Sequence, residues 1–357
     1  MKINKKKTYY KKRFWAGLLL AQFLLFYTLS KVTYASNLFE RLFEFQKQFH
    51  QQLFATVPFS VGDVFYLMLV ATFLFIGFKI IKKKSRNNYF CYLIVLLNIL
   101  YFTYQLFWGM LYFQKPIIDK LPQNEITVRE IKILTIEYLE KCKKTRTLVE
   151  EDRNGVFVIS NLQSIQQEIL YNHRILPASI NEKRPANVQA FKPSLFKSLM
   201  SYTGILGYYN PFSAEAQYNA ALPSSYIPFT LAHESAHQLG YAREQEANFI
   251  GFLIGENSKN ADLKYSTEYF VLKSLLGSLA DQDLDFVRKI LDGYSPEMKR
   301  DRIAEKLFVK KHEGLVDTFF GITNDLFLKS NQQEGSITYS YFIDVLLQYQ
   351  TISAESK

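Results

Sequence analysis

The sequence predicts an α-helical membrane region joined to a mainly α (α+β) soluble domain with a small edge-strand hairpin. Three observations predict it. Residues 14–30 carry no charge, 64–81 carry only Lys79, and 89–114 carry none. Each run is long enough to cross about 30 Å of hydrocarbon as a helix. Lys and Arg collect in short tracts beside these runs, and from residue 116 the polarity changes and helical and strand-like periodicities alternate. The predicted organisation is a membrane region over 1–115, with transmembrane helices at about 14–31, 64–81 and 89–113 and a surface amphipathic helix at 38–54, followed by an extracytoplasmic domain over 116–357.

The net charge of +10 invites a nucleic-acid reading, which its distribution removes. Residues 1–13 hold seven Lys/Arg and residues 79–88 hold five, with no acid in either tract; taking those twelve from the net ten leaves about −2 for the rest. Basic tracts stay on the cytoplasmic side. The N-terminus and residues 82–88 are therefore expected inside, and 31–63 and everything after about 115 outside. The expected location is the cytoplasmic (inner) membrane, with the lipid bilayer and not nucleic acid as a partner. Cleavage of a signal peptide after Thr33-Tyr34-Ala35 is a rival to retention, but leaves the domain on the same side. Two cysteines, Cys91 in a span and Cys142 in the domain, offer no disulfide framework.

Taken in order, Leu38, Leu42, Phe45, Phe49 and Phe54 recur at near-helical intervals, the pattern of a helix lying on the membrane surface or packing beneath the domain. Pro116 and Pro122 mark a short linker. Helices follow at 126–144 and 160–172, the first with Val128, Ile131, Leu134, Ile136 and Leu139 as its apolar stripe. Residues 185–193 break the pattern and a helix at 194–202 leads to two strand-like runs, 205–209 and 216–222, around the Asn210-Pro211 turn signal. Later helices are expected at 269–279, 283–291, 299–326 and 339–348.

The chemistry gathers at His233-Glu234-Ser235-Ala236-His237. On a helix the two histidines stand one turn apart on one face, so two neutral imidazoles can bind one ion while Glu234 lies beside them. A catalytic zinc takes three protein ligands and leaves a position for water. Gly240 is where the helix can end in a left-handed turn. A second helix, about 243–256, then presents Ala247, Ile250, Leu253 and Ile254 at helical spacing. Glu244 opens it and is the expected third ligand. Glu246 points about 200° away and is the less favoured alternative. Asn248, one turn past Glu244, is placed to hydrogen-bond a ligating imidazole. His50, alone on its surface helix, receives no chemistry. His173, His312, Tyr208, Tyr209 and Tyr339 could each stabilise an oxyanion, and spacing does not choose among them.

This stretch resembles a zincin, and specifically a gluzincin. More closely, PFSVGD at 58–63, NPFSAEAQYNA at 210–220, PFTLAHESAHQLGYAREQEANFIGFL at 228–253 and SITYSYFIDVLLQY at 336–349 together resemble an uncharacterised bacterial family of three-span membrane proteins with an extracytoplasmic HExxH domain. The resemblance implies a zincin-like fold and one Zn²⁺ per chain, and it implies no substrate, since the family itself lacks a known one. It also implies that residues 216–220 form an edge strand along which an extended substrate lies, with Asn219 and Ala220 meeting it. Asn248 stands where many gluzincins carry aspartate. The expectation is a membrane-anchored zinc metallopeptidase in which Glu234 accepts a proton from the attacking water and the substrate is a peptide or protein outside the membrane. A structural-zinc protein that recruits partners and a hydrolase of other amides, such as those of the cell wall, are the rivals.

Overall fold

The computed structural model describes residues 11–82, 85–314 and 338–355. It is mostly helical, with one three-stranded sheet. Four long helices come first: α1 (Lys12–Leu29), α2 (Thr33–Ala55), α3 (Val61–Ile81) and α4 (Arg86–Phe107). Helices α3 and α4 are long and apolar enough to cross a membrane, and α1 with α2 adds a third candidate as a pair bent by 103°. Along α3, Leu67, Met68, Val70, Leu74, Phe75 and Phe78 are 49% to 70% exposed. A helix with apolar side chains open all round suits lipid, where its backbone bonds are satisfied internally.

Helix α1 runs parallel to α4. Lys12 Nζ donates to Asn87 Oδ1 (2.8 Å) at one end and the Phe26 ring meets Tyr101 and Phe102 at the other. Between them the buried Asn98 donates to the Trp15 carbonyl and accepts from Gln22, polar side chains joining two helices across an apolar interface. Helix α3 returns antiparallel, its Phe75 packed on Tyr89 near the start of α4.

The sheet ties these helices to the rest of the chain. Strands β1 (Phe191–Pro193), β2 (Gly207–Asn210) and β3 (Glu215–Tyr218) lie in the order β1-β3-β2, with β1 parallel and β2 antiparallel to β3. The Glu215 carboxylate accepts from the backbone N–H of Val61 (3.1 Å) and Gly62 (2.7 Å), where the N-terminus of α3 leaves donors free and favours an anion. Ser60 caps the same helix by accepting from Asp63 N. Asp63 accepts from Ser194 Oγ (3.0 Å), Leu195 N (2.7 Å) and the Tyr208 hydroxyl. At the other end of α2, Lys192 Nζ donates to the carbonyls of Ala55 and Val57.

Beyond these four helices lie α5 (Val128–Arg146), α6 (Leu162–Asn172), the short α7 (Lys197–Thr203), α8 (Ile227–Leu239), α9 (Glu244–Glu256), α10 (Ala261–Leu279), α11 (Leu284–Asp292), α12 (Pro296–His312) and α13 (Thr338–Glu355). Their core is built around α10, whose Leu263, Tyr265, Tyr269, Val271, Leu272, Leu275 and Leu279 are all fully buried. Helix α5 opens with a capping box in which Thr127 and Glu130 satisfy each other's backbone N–H. Of its predicted stripe Ile131, Leu134 and Leu139 are buried, whereas Val128 and Ile136 stand exposed.

Three expectations are corrected. The hairpin is part of a three-stranded sheet, and the run at 216–220 is its central strand and the turn after it, because β1 pairs with β3 on the side away from β2. The edges belong to β1 and β2. The short linker expected between Pro116 and Pro122 is packed: Ile117–Lys120 is a 3₁₀ turn with Ile117 and Leu121 buried, and before it Gly109–Phe113 is a buried 3₁₀ turn and Gln114 donates to the Gly240 carbonyl and accepts from Lys183 Nζ. The helix expected at 299–326 spans Pro296–His312; residues 315–337 lie outside the described chain.

Candidate metal centre

Helix α8 carries the HESAH run. It begins with Pro228 in its first turn, where a missing N–H costs nothing, and ends at Gly240, whose φ of +104° a residue with a Cβ adopts only under strain. The Gly240 N–H bonds back to Ala236 and His237, and the reversed chain brings the Tyr241 carbonyl to 2.6 Å from His237 Nδ1. Helix α9 then crosses α8 closely. A Cβ on Gly251 would lie 3.1 Å from His233 N and 3.2 Å from its Cα, so the absence of a side chain there sets the spacing of the two helices.

That crossing assembles the predicted residues. His233 Nδ1 lies 2.8 Å from Asn248 Oδ1. With Nδ1–H donated to Asn248, and to the Tyr241 carbonyl in His237, each Nε2 is left as the nitrogen that could take a metal ion. Both point at Glu244: His233 Nε2 is 3.2 Å from Oε2 and His237 Nε2 is 3.7 Å from Oε1. One donor atom each from His233, Glu234 and His237 fall within 4.8 Å of one another, a grouping that could hold a metal ion. Glu246, the alternative ligand, is engaged elsewhere, accepting from Ile117 N (2.9 Å) and Arg243 Nη1 (3.1 Å).

The electrostatics follow from burial and from Glu244. Burial alone would lower the His233 pKa, but its hydrogen bond to Glu244, the charges of Glu234 and Glu244, and Asn248 raise it to about 9. Burial lowers His237 to about 4 against the pull of Glu244. Burial opposes the Glu244 charge, yet His233 and His237 hold its carboxyl down at about 2. Its side chain is one-third exposed, which gives the site its opening to solvent. Burial pushes Glu234 up to about 8, with His233 opposing and Glu244 adding to the rise. Glu234 Oε2 is buried and has no hydrogen-bond partner among the described residues.

Strand β2 runs beside Glu234. A Cβ on Gly207 would lie 2.7 Å from Glu234 Oε1. Asn219 N donates to the Leu206 carbonyl (2.8 Å), so with this register the pairs bonded to β3 are 206/219, 208/217 and 210/215. The backbone groups of Gly207 and Tyr209 therefore point to the free side of the strand. Asn219 is fully buried, its side chain donating to Ser201 Oγ and accepting from Ala221 N; Ala220 is exposed in the turn beyond β3. Neither lies along the edge strand, because β3 is the middle strand.

One wall comes from residues that sequence reasoning did not assign. The Trp108 ring, just past α4, stands edge-on to His237 with centroids 5.6 Å apart and packs at 4.6 Å on Tyr209. Trp108 Nε1 donates to the Tyr112 hydroxyl (3.4 Å). Burial, the Tyr104 phenol and the Glu244 charge push the Tyr112 phenol well above its usual range. The aromatic cluster at the end of the last apolar run was the available signal. Among the oxyanion candidates, His173 Nε2 meets Ser235 Oγ (3.1 Å) on the far face of α8, His312 bonds the Phe308 carbonyl, and Tyr208 turns to Asp63. Tyr209 alone packs on the ring that meets His237. The Tyr339 side chain lies outside the described residues.

A family model described as "Protein of unknown function (DUF3810)" matches residues 39–347, which take in the whole of this centre. No curated protein and no solved structure matches the chain.

Proposed function

The chain belongs to the DUF3810 family of proteins of unknown function, and on that premise we propose that it is a membrane-anchored zinc metallopeptidase of zincin-like fold. One observation carries the reading. Two imidazoles from one helix, each locked by its Nδ1 partner, turn their Nε2 atoms to a carboxylate from the next helix, while a second carboxylate, Glu234, is buried beside them.

His233, His237 and Glu244 would hold the ion, and a His₂Glu set suits zinc in an open catalytic site. Zinc, when bound there, supplies Lewis acidity toward a water and the scissile carbonyl. Asn248 and the Tyr241 carbonyl keep the imidazoles oriented. Glu234 takes a proton from the attacking water and delivers one to the leaving amine. The free backbone groups of Gly207 and Tyr209 offer an extended peptide a strand to pair with, and the side chains of Trp108 and Tyr209 close one flank.

The membrane arrangement supports a site outside the cytoplasmic membrane. Lys12, Lys79 and Arg86 gather at one end of the helices, and the metal centre lies at the end of α4 away from them. With basic ends inside, α1, α3 and α4 form three spans and the domain faces outward.

The test uses the full chain in detergent, since residues 108–114 wall the site. Zinc is measured by elemental analysis in wild type, Glu234→Gln and Glu244→Gln, and cleavage of a mixed peptide library is followed in the same samples. The reading expects one zinc and cleavage in wild type, zinc without cleavage in Glu234→Gln, and loss of zinc in Glu244→Gln. Zinc with no cleavage in wild type would favour a structural or non-peptidase role, and a zinc-free wild type would end the proposal.

A further inference from the structure

Helix α2 has two faces of opposite character. Tyr34, Leu38, Leu42, Phe45, Phe49 and Leu53, spaced three or four apart, form one stripe that is 40% to 84% exposed, with Phe45 at the top of that range. The opposite face, Phe39, Phe43, Lys47 and Gln51, is buried. It packs on the end of the metal-binding helix: Lys47 Nζ donates to the Leu239 carbonyl and Gln51 Nε2 to that of Gln238, both at 3.3 Å, and the Phe43 ring lies where a Cβ of Gly240 would fall, 2.8 Å away.

What covers the stripe follows from the chain on either side. Three residues join α2 to α1, which lies along α4, and five join it to α3. The bend between α1 and α2 is 103°. A helix turned at a right angle from one candidate span and leading into another lies in the plane of the bilayer surface, its apolar stripe sunk about 5–10 Å into the boundary between headgroups and acyl chains.

We propose that α2 floats the metal centre on the bilayer and that its substrate is a polypeptide anchored in the same membrane and cut close to its anchor. This rests on the peptidase reading above. One helix diameter, about 10 Å, separates the lipid-facing stripe from the carbonyls of Gln238 and Leu239, and Trp108 brings the end of α4 against His237. The free edge of β2 thus lies just above the headgroups. A tethered segment reaches it with the effective concentration of an intramolecular partner, whereas a bulky protein in solution must approach against the membrane.

The experiment uses the full zinc-loaded chain in vesicles of phosphatidylethanolamine and phosphatidylglycerol. A quenched fluorogenic peptide cut in the library screen is supplied at equal bulk concentration either free or joined through a five-residue spacer to a lipid. The anchored form is expected to be cut at least tenfold faster. In parallel, the added fluorescence of Phe49→Trp is measured in vesicles with brominated acyl chains and is expected to be strongly quenched. Absent quenching would overturn the placement of α2, and equal rates for the two peptides would overturn the substrate class while sparing the peptidase. Cleavage of neither peptide, with quenching present, would overturn the substrate class by way of the peptidase reading itself.

Discussion

Gly207→Ala probes the contact between the edge strand and the proposed base. The new Cβ would fall 2.7 Å from Glu234 Oε1, 2.8 Å from Glu234 Cγ and 2.8 Å from Thr230 Cγ2, where ordinary contact begins at 3.4 Å. Each pair is therefore short by about 0.6–0.7 Å. Overpacking of this kind costs about 1–3 kcal/mol when nothing can give way. Thr230 is β-branched and fixed on α8, so the Glu234 side chain is the part that moves. A displacement approaching 1 Å in a catalytic group costs about 10²-fold in rate. The three atoms nearest that Cβ belong to Glu234 and Thr230 and none to the proposed ligands His233, His237 and Glu244, so zinc content should hold. The assay compares kcat/KM, zinc by elemental analysis and Tm in wild type, Gly207→Ala and Gly77→Ala, whose Cβ meets nothing within 4 Å. The expected result is a 10- to 100-fold loss of kcat/KM and a drop in Tm in Gly207→Ala alone, with one zinc retained. Wild-type rate and Tm in Gly207→Ala would refute the placement of β2 against Glu234, and loss of zinc would locate the effect in the ligands instead.

Two further outcomes follow. Gly251→Ala sets a Cβ 3.1–3.3 Å from backbone atoms of Ala232 and His233; backbone gives way less than a side-chain tip, so α9 should shift from α8 and zinc affinity should fall about tenfold or more in a competition with a chelator. Burial, aided by the Lys47 charge, lowers His173 to about 3 from an ordinary 6.5. The unfolded chain then takes up a proton as pH falls through 6.5 while the folded chain does not, so this stability is complete above pH 6.5 and is lost on the way down toward 3, by roughly 5 kcal/mol in full. The Tm of His173→Asn should fall less steeply than that of wild type between pH 7 and 4, and parallel curves would refute the assignment.

The grouping of the candidate metal residues was legible because a helix fixes their spacing locally. Four-residue spacing puts His233 with His237 and Glu244 with Asn248, and a glycine at 240 signals the turn between. The apolar set Ala247, Ile250, Leu253 and Ile254 is buried as its spacing implies. What escaped depends on distant partners. Strand β1 is three residues that exist as a strand only by pairing with β3, and that pairing decides which strand is central and hence why Asn219 is buried. Trp108 and Tyr112 read as the end of an apolar run, since nothing local says that the soluble helices close over them. On α2 the apolar spacing revealed the exposed stripe, whereas nothing in that spacing marks Lys47 and Gln51, which bond the carbonyls at the end of α8.

The bond from Lys47 to the Leu239 carbonyl has a meaning in time. The two residues are 192 positions apart, which at 5–20 residues per second is about 10–40 s of synthesis. During that interval α2 is already made, with its buried lysine and glutamine still lacking the carbonyls they will close. Helix α8 acquires its end cap only when the late part of the chain returns to a segment laid down before the second apolar helix. Completion of the candidate centre thus waits on a segment near the start of the chain: until the first sixty residues are in place, the Gln238 and Leu239 carbonyls lack the side chains that bond them.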